Sequence, residues 1–246
     1  MRIDTPTFFV RIALAILSAA LIASCAKHPV AREGVAASAR KESSFQLNPL
    51  DDRERADQHF AQLLAQLKSD PNNADYDELR SAWTLTDGYV PYDSKILEAV
   101  GVIFGSIANG QYDLCLKFAD AILADNAISL YGNFAEAVCA KRSGDPQKAD
   151  VHSTIVKGLM HSILKSGDGE TVDTAFRCIS QEEIRAFVEL QNFDIKEQTP
   201  QAVPGRAVDL VVAESEDKSI VHRWYFDTTL ALQRGIRLPH HDRPAQ

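Results

Sequence analysis

The hydrophobic period of this chain changes at residues 167–169, Gly-Asp-Gly, and that change limits the possible folds. Before it, apolar residues recur every three to four positions, which is the period of an amphipathic helix. After it, four segments have the composition of strands, with one helix predicted at residues 181–190. These segments are residues 174–179, 194–199, 207–214 and 219–227. We therefore predict an α+β fold, with N-terminal helical hairpins followed by a small sheet with one helix.

Two glycines mark the turns of the predicted hairpins. Gly110 and Gly144 are 144 − 110 = 34 residues apart, and each follows one predicted helix and precedes another. A helix–turn–helix unit of about 34 residues is the tetratricopeptide period, and residues 137–155 resemble that repeat family. The resemblance implies stacked helical hairpins. The alternative is a plain helical bundle without a repeat.

An apolar segment at residues 12–23 follows Arg2 and Arg11. A positive start, a short apolar stretch and small residues at its end are typical of a secretory signal peptide. A membrane-spanning helix needs about 20 apolar residues, so this segment is too short to remain as one. We interpret residues 1–24 as a signal peptide.

The segment ends in Ile22-Ala23-Ser24-Cys25, which resembles the lipobox of bacterial lipoproteins. The resemblance implies that lipid is attached to the thiol of Cys25, that the chain is cut before this residue, and that its new amine is acylated. Ala26 follows, where an aspartate would imply retention in the inner membrane. The resemblance therefore favours the outer membrane, facing the periplasm. The alternative is an ordinary cleaved signal.

Composition divides the rest of the chain. Residues 25–50 are rich in alanine, serine and charge, and we predict a flexible tether between lipid and folded protein. We predict a helical hairpin domain at residues 51–166, a small α+β domain at 167–238 and a disordered tail at 239–246. The formal net charge of −8 argues against nucleic acid as a partner.

Three cysteines remain after Cys25, namely Cys115, Cys139 and Cys178. An odd number allows at most one internal disulfide, and Cys115 with Cys139 is the pair to consider because they lie on neighbouring predicted helices. Cysteine is also a common small buried apolar residue. We expect all three to be reduced, with the Cys115–Cys139 disulfide as the alternative.

Several short blocks together resemble a family of exported bacterial proteins catalogued as domain of unknown function 4919. They are residues 88–92, 166–169, 174–176, 179–180, 182–183 and 225–227. The resemblance would cover about residues 60 to 230. It implies a helical first half, a small αβ second half and an envelope location, and it assigns no catalytic residue.

The sequence contains no recognisable catalytic constellation. It lacks a zinc-protease His-Glu-x-x-His, a phosphate-binding glycine loop and a nucleophile elbow. We expect no catalytic residue, metal or cofactor. Aromatic residues are the better candidates, because Trp and Tyr concentrate at binding surfaces, although they are also common in cores. The candidate binding surface comprises Trp83, Tyr89, Tyr92, Trp224 and Tyr225.

Two functions of different classes remain. The first is a non-enzymatic, lipid-anchored envelope protein whose helical hairpins bind or scaffold a protein partner. The second is a periplasmic hydrolase or carbohydrate-processing enzyme with its site between the two parts. The lack of a catalytic constellation favours the first. Polar and aromatic side chains that line a groove on successive first helices of the hairpins would support binding. Two carboxylates converging in a deep cleft would support the enzyme.

Overall fold

The structure is a computed structural model that describes the backbone of residues 49–237 and the side chains of residues 52–235. The predicted signal peptide, the lipidation site Cys25, nearly all of the tether and the predicted tail lie outside these residues. Within the described part of the chain, no helix is both long enough and apolar enough to cross a membrane.

Six helices form the first half of the described chain, as the sequence predicts. They are α1 (Pro49–Ser69), α2 (Tyr76–Trp83), α3 (Ser94–Ala108), α4 (Tyr112–Asp125), α5 (Leu130–Ser143) and α6 (Pro146–Lys165). Four of them begin after a residue whose side-chain oxygen accepts a hydrogen bond from a backbone N–H of the first turn. Such capping satisfies N–H groups that a helix leaves without partners at its start. These caps are Asp75, Asp93, Ser129 and Asp145.

The turns that follow α3 and α5 contain the two glycines 34 residues apart. Gly110 has a φ of 68° and Gly144 a φ of 91°. Both angles are in the left-handed region, which glycine adopts without the steric cost that a Cβ would bring. Each glycine is followed within two residues by the next helix, at Tyr112 and Pro146. The glycines therefore allow each chain reversal.

A four-stranded sheet forms the second half. The elements are β1 (Phe176–Arg177), α7 (Gln181–Glu189), β2 (Phe193–Val203), β3 (Arg206–Ser215), β4 (Val221–Asp227) and α8 (Thr229–Arg237). The strand order is β1-β4-β3-β2, with β1 parallel to β4 and the other pairs antiparallel. Helix α7 packs near one face of the sheet. The α+β class is confirmed.

The prediction of only one helix after residue 169 is wrong, because α8 follows β4. Its start is fixed by the preceding strand: the Asp227 carboxylate accepts a hydrogen bond from the N–H of Thr229, and the Thr228 N–H donates to the Ala207 carbonyl in β3. Contacts with the sheet therefore fix the start of this short helix.

The helices and the sheet share one continuous cluster of buried side chains. Leu79 of α2 and Leu159 of α6 are both fully buried in it. Phe176 of β1, Phe187 of α7 and Phe226 of β4 extend it under the sheet, with ring centroids 4.8–5.7 Å apart. The two halves are therefore stabilised by common apolar burial.

The expectation of three reduced cysteines is wrong. Cys115 of α4 and Cys139 of α5 form a disulfide, with their Cα atoms 6.3 Å apart. Sequence spacing left this open because only the packing of α4 on α5 brings the two Cβ atoms together. Cys178 is a buried free thiol.

Candidate functional site

The helical half meets the sheet at a buried ion pair between Arg80 of α2 and Glu183 of α7. Arg80 Nε donates to Glu183 Oε1 and Nη2 to Oε2, each at 2.8 Å. The two side chains are 7% and 3% exposed. Arg80 also donates to Ser162 Oγ and to the carbonyl of Arg177. Because every polar group of this pair has a partner, the arrangement fixes α2, α6 and α7 against each other.

A second buried carboxylate joins α7 to α5. Glu182 accepts hydrogen bonds from Ser129 Oγ at 2.7 Å and from the Tyr131 N–H at 3.0 Å. It therefore caps the start of α5 from another helix, where the helix dipole favours negative charge. Burial nevertheless dominates and raises the pKa of the Glu182 carboxyl to about 7.

Residues 88–92 close the same joint. The Tyr89 hydroxyl donates to the Ile179 carbonyl, and the Gln181 N–H donates to the Pro91 carbonyl at 3.0 Å. These bonds hold the loop against the start of α7. Tyr92, the last residue of the loop, remains 49% exposed.

The Gly-Asp-Gly segment is a tight turn. The N–H groups of Asp168 and Gly169 both donate to the Thr174 carbonyl. Gly169 has a φ of 71°, and a Cβ there would lie 2.3 Å from the Phe176 ring. The Asp168 carboxylate accepts from the N–H of Glu170. Glycine is therefore needed here for backbone conformation and close packing, and Asp168 stabilises the turn.

The five aromatic residues predicted as a binding surface do not lie together. Trp83 and Tyr89 are in the core, only 9% and 1% exposed, because their rings pack on each other and on α1. Trp224 is half-buried and stacks on His222, with ring centroids 4.4 Å apart. Tyr225 is half-buried on the opposite face of β4, since successive strand residues alternate. Tyr92 alone of the five is largely exposed.

A different set of residues forms an open apolar surface on α3 and α5. Phe104 and Phe134 are half-buried, and their ring centroids are 6.1 Å apart. A Cβ added to Gly101 or Gly105 would meet nothing within 4 Å, so the helix surface beside Phe104 is open. Val138, half-buried, lies one turn after Phe134. We name these five residues the α3–α5 surface.

The sequence of α3 supports a role for this surface in binding. From Ala99 to Ala108, ten successive residues carry no charge, although several of them face solvent. Val102 is 40% exposed. An exposed helix face normally carries charged or polar residues. Contiguous exposed apolar surface marks interaction sites more often than scattered apolar residues do.

A polar cluster lies on the other side of α5. Glu136 is fully buried, and its Oε2 lies 2.7 Å from Lys148 Nζ, which is also 3.6 Å from Asp120 Oδ1. Burial is the main cause that raises the Glu136 pKa to about 7, and Lys148 opposes it. Two carboxylates around one ammonium could exchange a proton. Because the Glu136 carboxylate is covered on all sides, the cluster offers no substrate a path to it.

Two histidines of the described residues have partners other than a metal ion. His152 Nδ1 is 2.8 Å from Asn133 Oδ1, and His222 packs between aromatic rings. Across the described side chains, no group of three or more His, Cys, Asp or Glu residues is arranged to hold a metal ion.

A shallow cavity of about 490 Å³ lies at the turn between α3 and α4. It is lined by Gly110, Gln111, Tyr112, Asp113, Leu114 and Ser143. Asp113 is the one carboxylate of this lining, and the lining contains no basic residue to form an acid/base pair with it. The cavity therefore supplies no catalytic set.

A known family covers nearly all of the folded chain. The family described as "Domain of unknown function (DUF4919)" matches residues 52–237. The chain belongs to this family. Its match begins in α1 and ends with α8, so it includes both the helices and the sheet. No curated protein and no solved structure matches the chain.

The blocks that resemble this DUF4919 family in sequence meet at the joint between helices and sheet. The Tyr225 N–H donates to the Gly169 carbonyl, and the Cys178 N–H donates to the Asp227 carbonyl. Together with the bonds of Tyr89 and Glu183, these contacts show that the blocks maintain one structural joint. In this chain, these blocks therefore contribute to folding.

The sequence of this DUF4919 chain does not reveal the buried ion pair that joins the helices to the sheet. Arg80 and Glu183 are 103 residues apart. Glu183 belongs to the block at residues 182–183, but no local pattern pairs it with Arg80. The sequence gives one weak indication of the α3–α5 surface. Val138 follows Phe104 by 34 residues, the same separation as between Gly110 and Gly144, so the two occupy equivalent positions in successive hairpins. The open space over Gly101 and Gly105 has no sequence signal apart from glycine within a helix.

Proposed function

We propose that this DUF4919 protein is exported, anchored by lipid at Cys25 to the periplasmic face of the outer membrane, and docks a protein partner on its helical hairpins without catalysing a reaction. The α3–α5 surface is the observation that carries the docking role. The partner is expected to present apolar side chains, because this surface offers two aromatic rings beside an open helix backbone.

The disulfide supports export. Disulfides persist in oxidising compartments such as the bacterial periplasm and are rare in the cytosol. Cys115 and Cys139 are both fully buried, so their bond is part of the folded core. This agrees with a signal segment before Cys25. The lipobox-like residues then supply a means of anchoring, with several acyl chains giving stable attachment.

The helical hairpins support a tetratricopeptide-like arrangement. Both left-handed glycines occupy the same place, two residues before the second helix of a hairpin. Phe104 and Phe134 lie on the first helices, α3 and α5, of successive hairpins. Aromatic side chains in these positions are the feature that favours binding over a plain bundle.

The enzyme alternative has less support. Its site would lie between the helices and the sheet, where Arg80 and Glu183 form a paired, buried contact and aromatic rings fill the core. The carboxylate pair of Asp120 and Glu136 lies elsewhere, beneath Lys148. Neither place combines converging carboxylates with an open cleft.

Docking can be tested by photo-crosslinking in living cells. A benzophenone amino acid replaces Phe134, and a matched variant carries it at Lys157, an exposed residue of α6. We expect a discrete adduct, of the same mass in repeated experiments, from position 134 and none from position 157. Equal labelling at both positions, or none at 134, would contradict docking on this surface.

Anchoring is tested separately. The mass of the mature N-terminus and fractionation of membranes are compared for the wild type and Cys25→Ser. We expect an acylated Cys25 in the wild type and loss of lipid in the variant. A wild-type protein with a free thiol at Cys25, or with residues 1–24 retained, would overturn the lipid anchor.

A further inference from the structure

A second candidate site lies at the start of α7. It contains Asp209 of β3, which is only 9% exposed. Asp209 Oδ2 accepts a hydrogen bond from Gln198 Nε2 at 2.8 Å. Gln198 Nε2 also donates to Gln181 Oε1 at 3.0 Å, the first residue of α7. An amide network therefore holds the carboxylate in place.

The carboxylate of Asp209 lacks a cationic partner. Within residues 52–235, no lysine, arginine or histidine nitrogen lies within 4.0 Å of it. Arg234 of α8 is near enough to lower the pKa of Tyr89 slightly, against the larger effect of burial, but forms no salt bridge with Asp209. A carboxylate this far withdrawn from water is costly unless a positive charge compensates it.

An exposed aromatic ring lies at the same end of α7 as this carboxylate. The Gln181 N–H donates to the Pro91 carbonyl, which places the next residue, Tyr92, at the start of α7. Tyr92 is 49% exposed, and a Cβ at Gly235 of α8 would lie 3.1 Å from its Cε2. Burial and the charge of Asp209 both raise the pKa of the Tyr92 hydroxyl, so the two groups are within electrostatic range.

The geometry points to a binding site for a primary ammonium group, formed by the Asp209 carboxylate, the Gln198 amide oxygen and the exposed ring of Tyr92. The carboxylate accepts hydrogen bonds from the ammonium, and the aromatic ring attracts the positive charge and contacts the attached methylenes. Val90 and Leu232, 49% and 42% exposed, belong to the same loop and helix as Tyr92 and Gly235. A lysine side chain of a peptide and a free alkylamine share this chemistry.

The test is an NMR titration of the full-length protein in a nonionic detergent. The probe is n-butylammonium chloride, n-butanol is its neutral counterpart, and the side-chain amide of Gln198 is the reporter. We expect a saturable shift with n-butylammonium and none with n-butanol at the same concentration. If Nα-acetyl-lysine amide binds more tightly than n-butylammonium, the natural ligand is a peptide lysine. If the two bind equally, the natural ligand is a free amine.

Three variants make the assignment specific. Asp209→Asn should weaken binding at least about tenfold, since a charge-assisted hydrogen bond is lost. Tyr92→Leu should weaken it roughly threefold. Asp150→Asn, which removes an exposed carboxylate on α6, should leave the affinity unchanged.

Several outcomes would overturn the site. They are equal shifts with n-butanol, a Gln198 shift that saturates with N-acetylglucosamine but not with the ammonium, and unchanged affinity in Tyr92→Leu. Tyr92→Leu alters a largely exposed side chain, so the proposal stays testable even where Asp209→Asn does not fold. The crosslinking experiment at Phe134 does not depend on this site, so the docking proposal and the ammonium site can fail separately.

Discussion

Removing the Cys115–Cys139 disulfide should destabilise the folded protein by about 3.5 kcal/mol. The bond joins residues separated by 24 positions. A crosslink that closes a loop of this size restricts the unfolded chain, and the dependence of lost entropy on loop length gives about 3.5 kcal/mol at 25 °C. The variant is Cys115→Ala with Cys139→Ala, because both side chains are fully buried and alanine introduces no polar group.

The assay is urea unfolding of the full-length wild type and the double variant, each with and without a thiol-free reductant. At an m-value of about 2 kcal/mol per molar urea, the midpoint should fall by roughly 2 M. The reductant should lower the wild-type midpoint and leave the double variant unchanged, which separates loss of the crosslink from loss of packing. A wild-type midpoint insensitive to the reductant under unfolding conditions would refute the reasoning.

Three further perturbations test the turns, the buried carboxylate and the ion pair. Gly110→Val and Gly144→Val should each cost about 1–3 kcal/mol in urea unfolding, because open space surrounds both glycines and only backbone strain remains, whereas Lys117→Ala should stay within about 0.5 kcal/mol. The pKa of the Glu182 carboxyl is about 7 in the folded protein and near 4.5 in the unfolded chain. Its contribution to the unfolding free energy is therefore fully present below pH 4.5 and is lost as the pH rises through 7. Glu182 should thus lower the unfolding free energy by up to about 3 kcal/mol over that range. Glu182→Gln should remove this part of the pH dependence and leave the part that comes from Glu136, whose pKa is also about 7; identical profiles for wild type and variant would refute the assignment. Arg80→Met should destabilise by about 3–5 kcal/mol, since it leaves Glu183 buried without its cation, and a near-neutral result would show that the pair is dispensable.

Local sequence signals predicted most of the secondary structure. Ser180 followed three residues later by Glu183 has the spacing of a capping box, which predicts a helix at residues 181–190. Ser180 Oγ does accept the Glu183 N–H. The reciprocal half of that capping box is absent. The Glu183 carboxylate instead accepts from the Ile179 N–H and from Arg80, a partner from α2 that no local pattern contains.

Strand β2 shows how tertiary position changes a local rule. The sequence predicts its end before Pro200, yet the strand continues to Val203. Proline has no N–H to donate, which excludes it from the interior of a sheet. β2 is an edge strand in the order β1-β4-β3-β2, so Pro200 needs no partner on its outer side.

The sequence does not reveal which aromatic side chains are buried and which are exposed. Trp83 and Tyr89 have the composition of a binding surface, but α1 and the Ile179 carbonyl supply their partners in the core. Conversely, Phe104 and Phe134 have the spacing of core residues and are only half-buried. Burial of an aromatic residue depends on which elements pack over it, and a helical period does not reveal that.

The most direct test of docking on the α3–α5 surface is crosslinking yield from position 134 in a Gly105→Leu background. A Cβ at Gly105 meets nothing within 4 Å, and leucine favours a helix more than glycine by roughly 1 kcal/mol, so the folded state should be at least as stable. The leucine would occupy the open space that a partner needs. We predict that the adduct falls at least about fivefold, equivalent to roughly 1 kcal/mol of binding, while the unfolding free energy is unchanged or higher. An undiminished adduct from this variant would contradict docking on the α3–α5 surface.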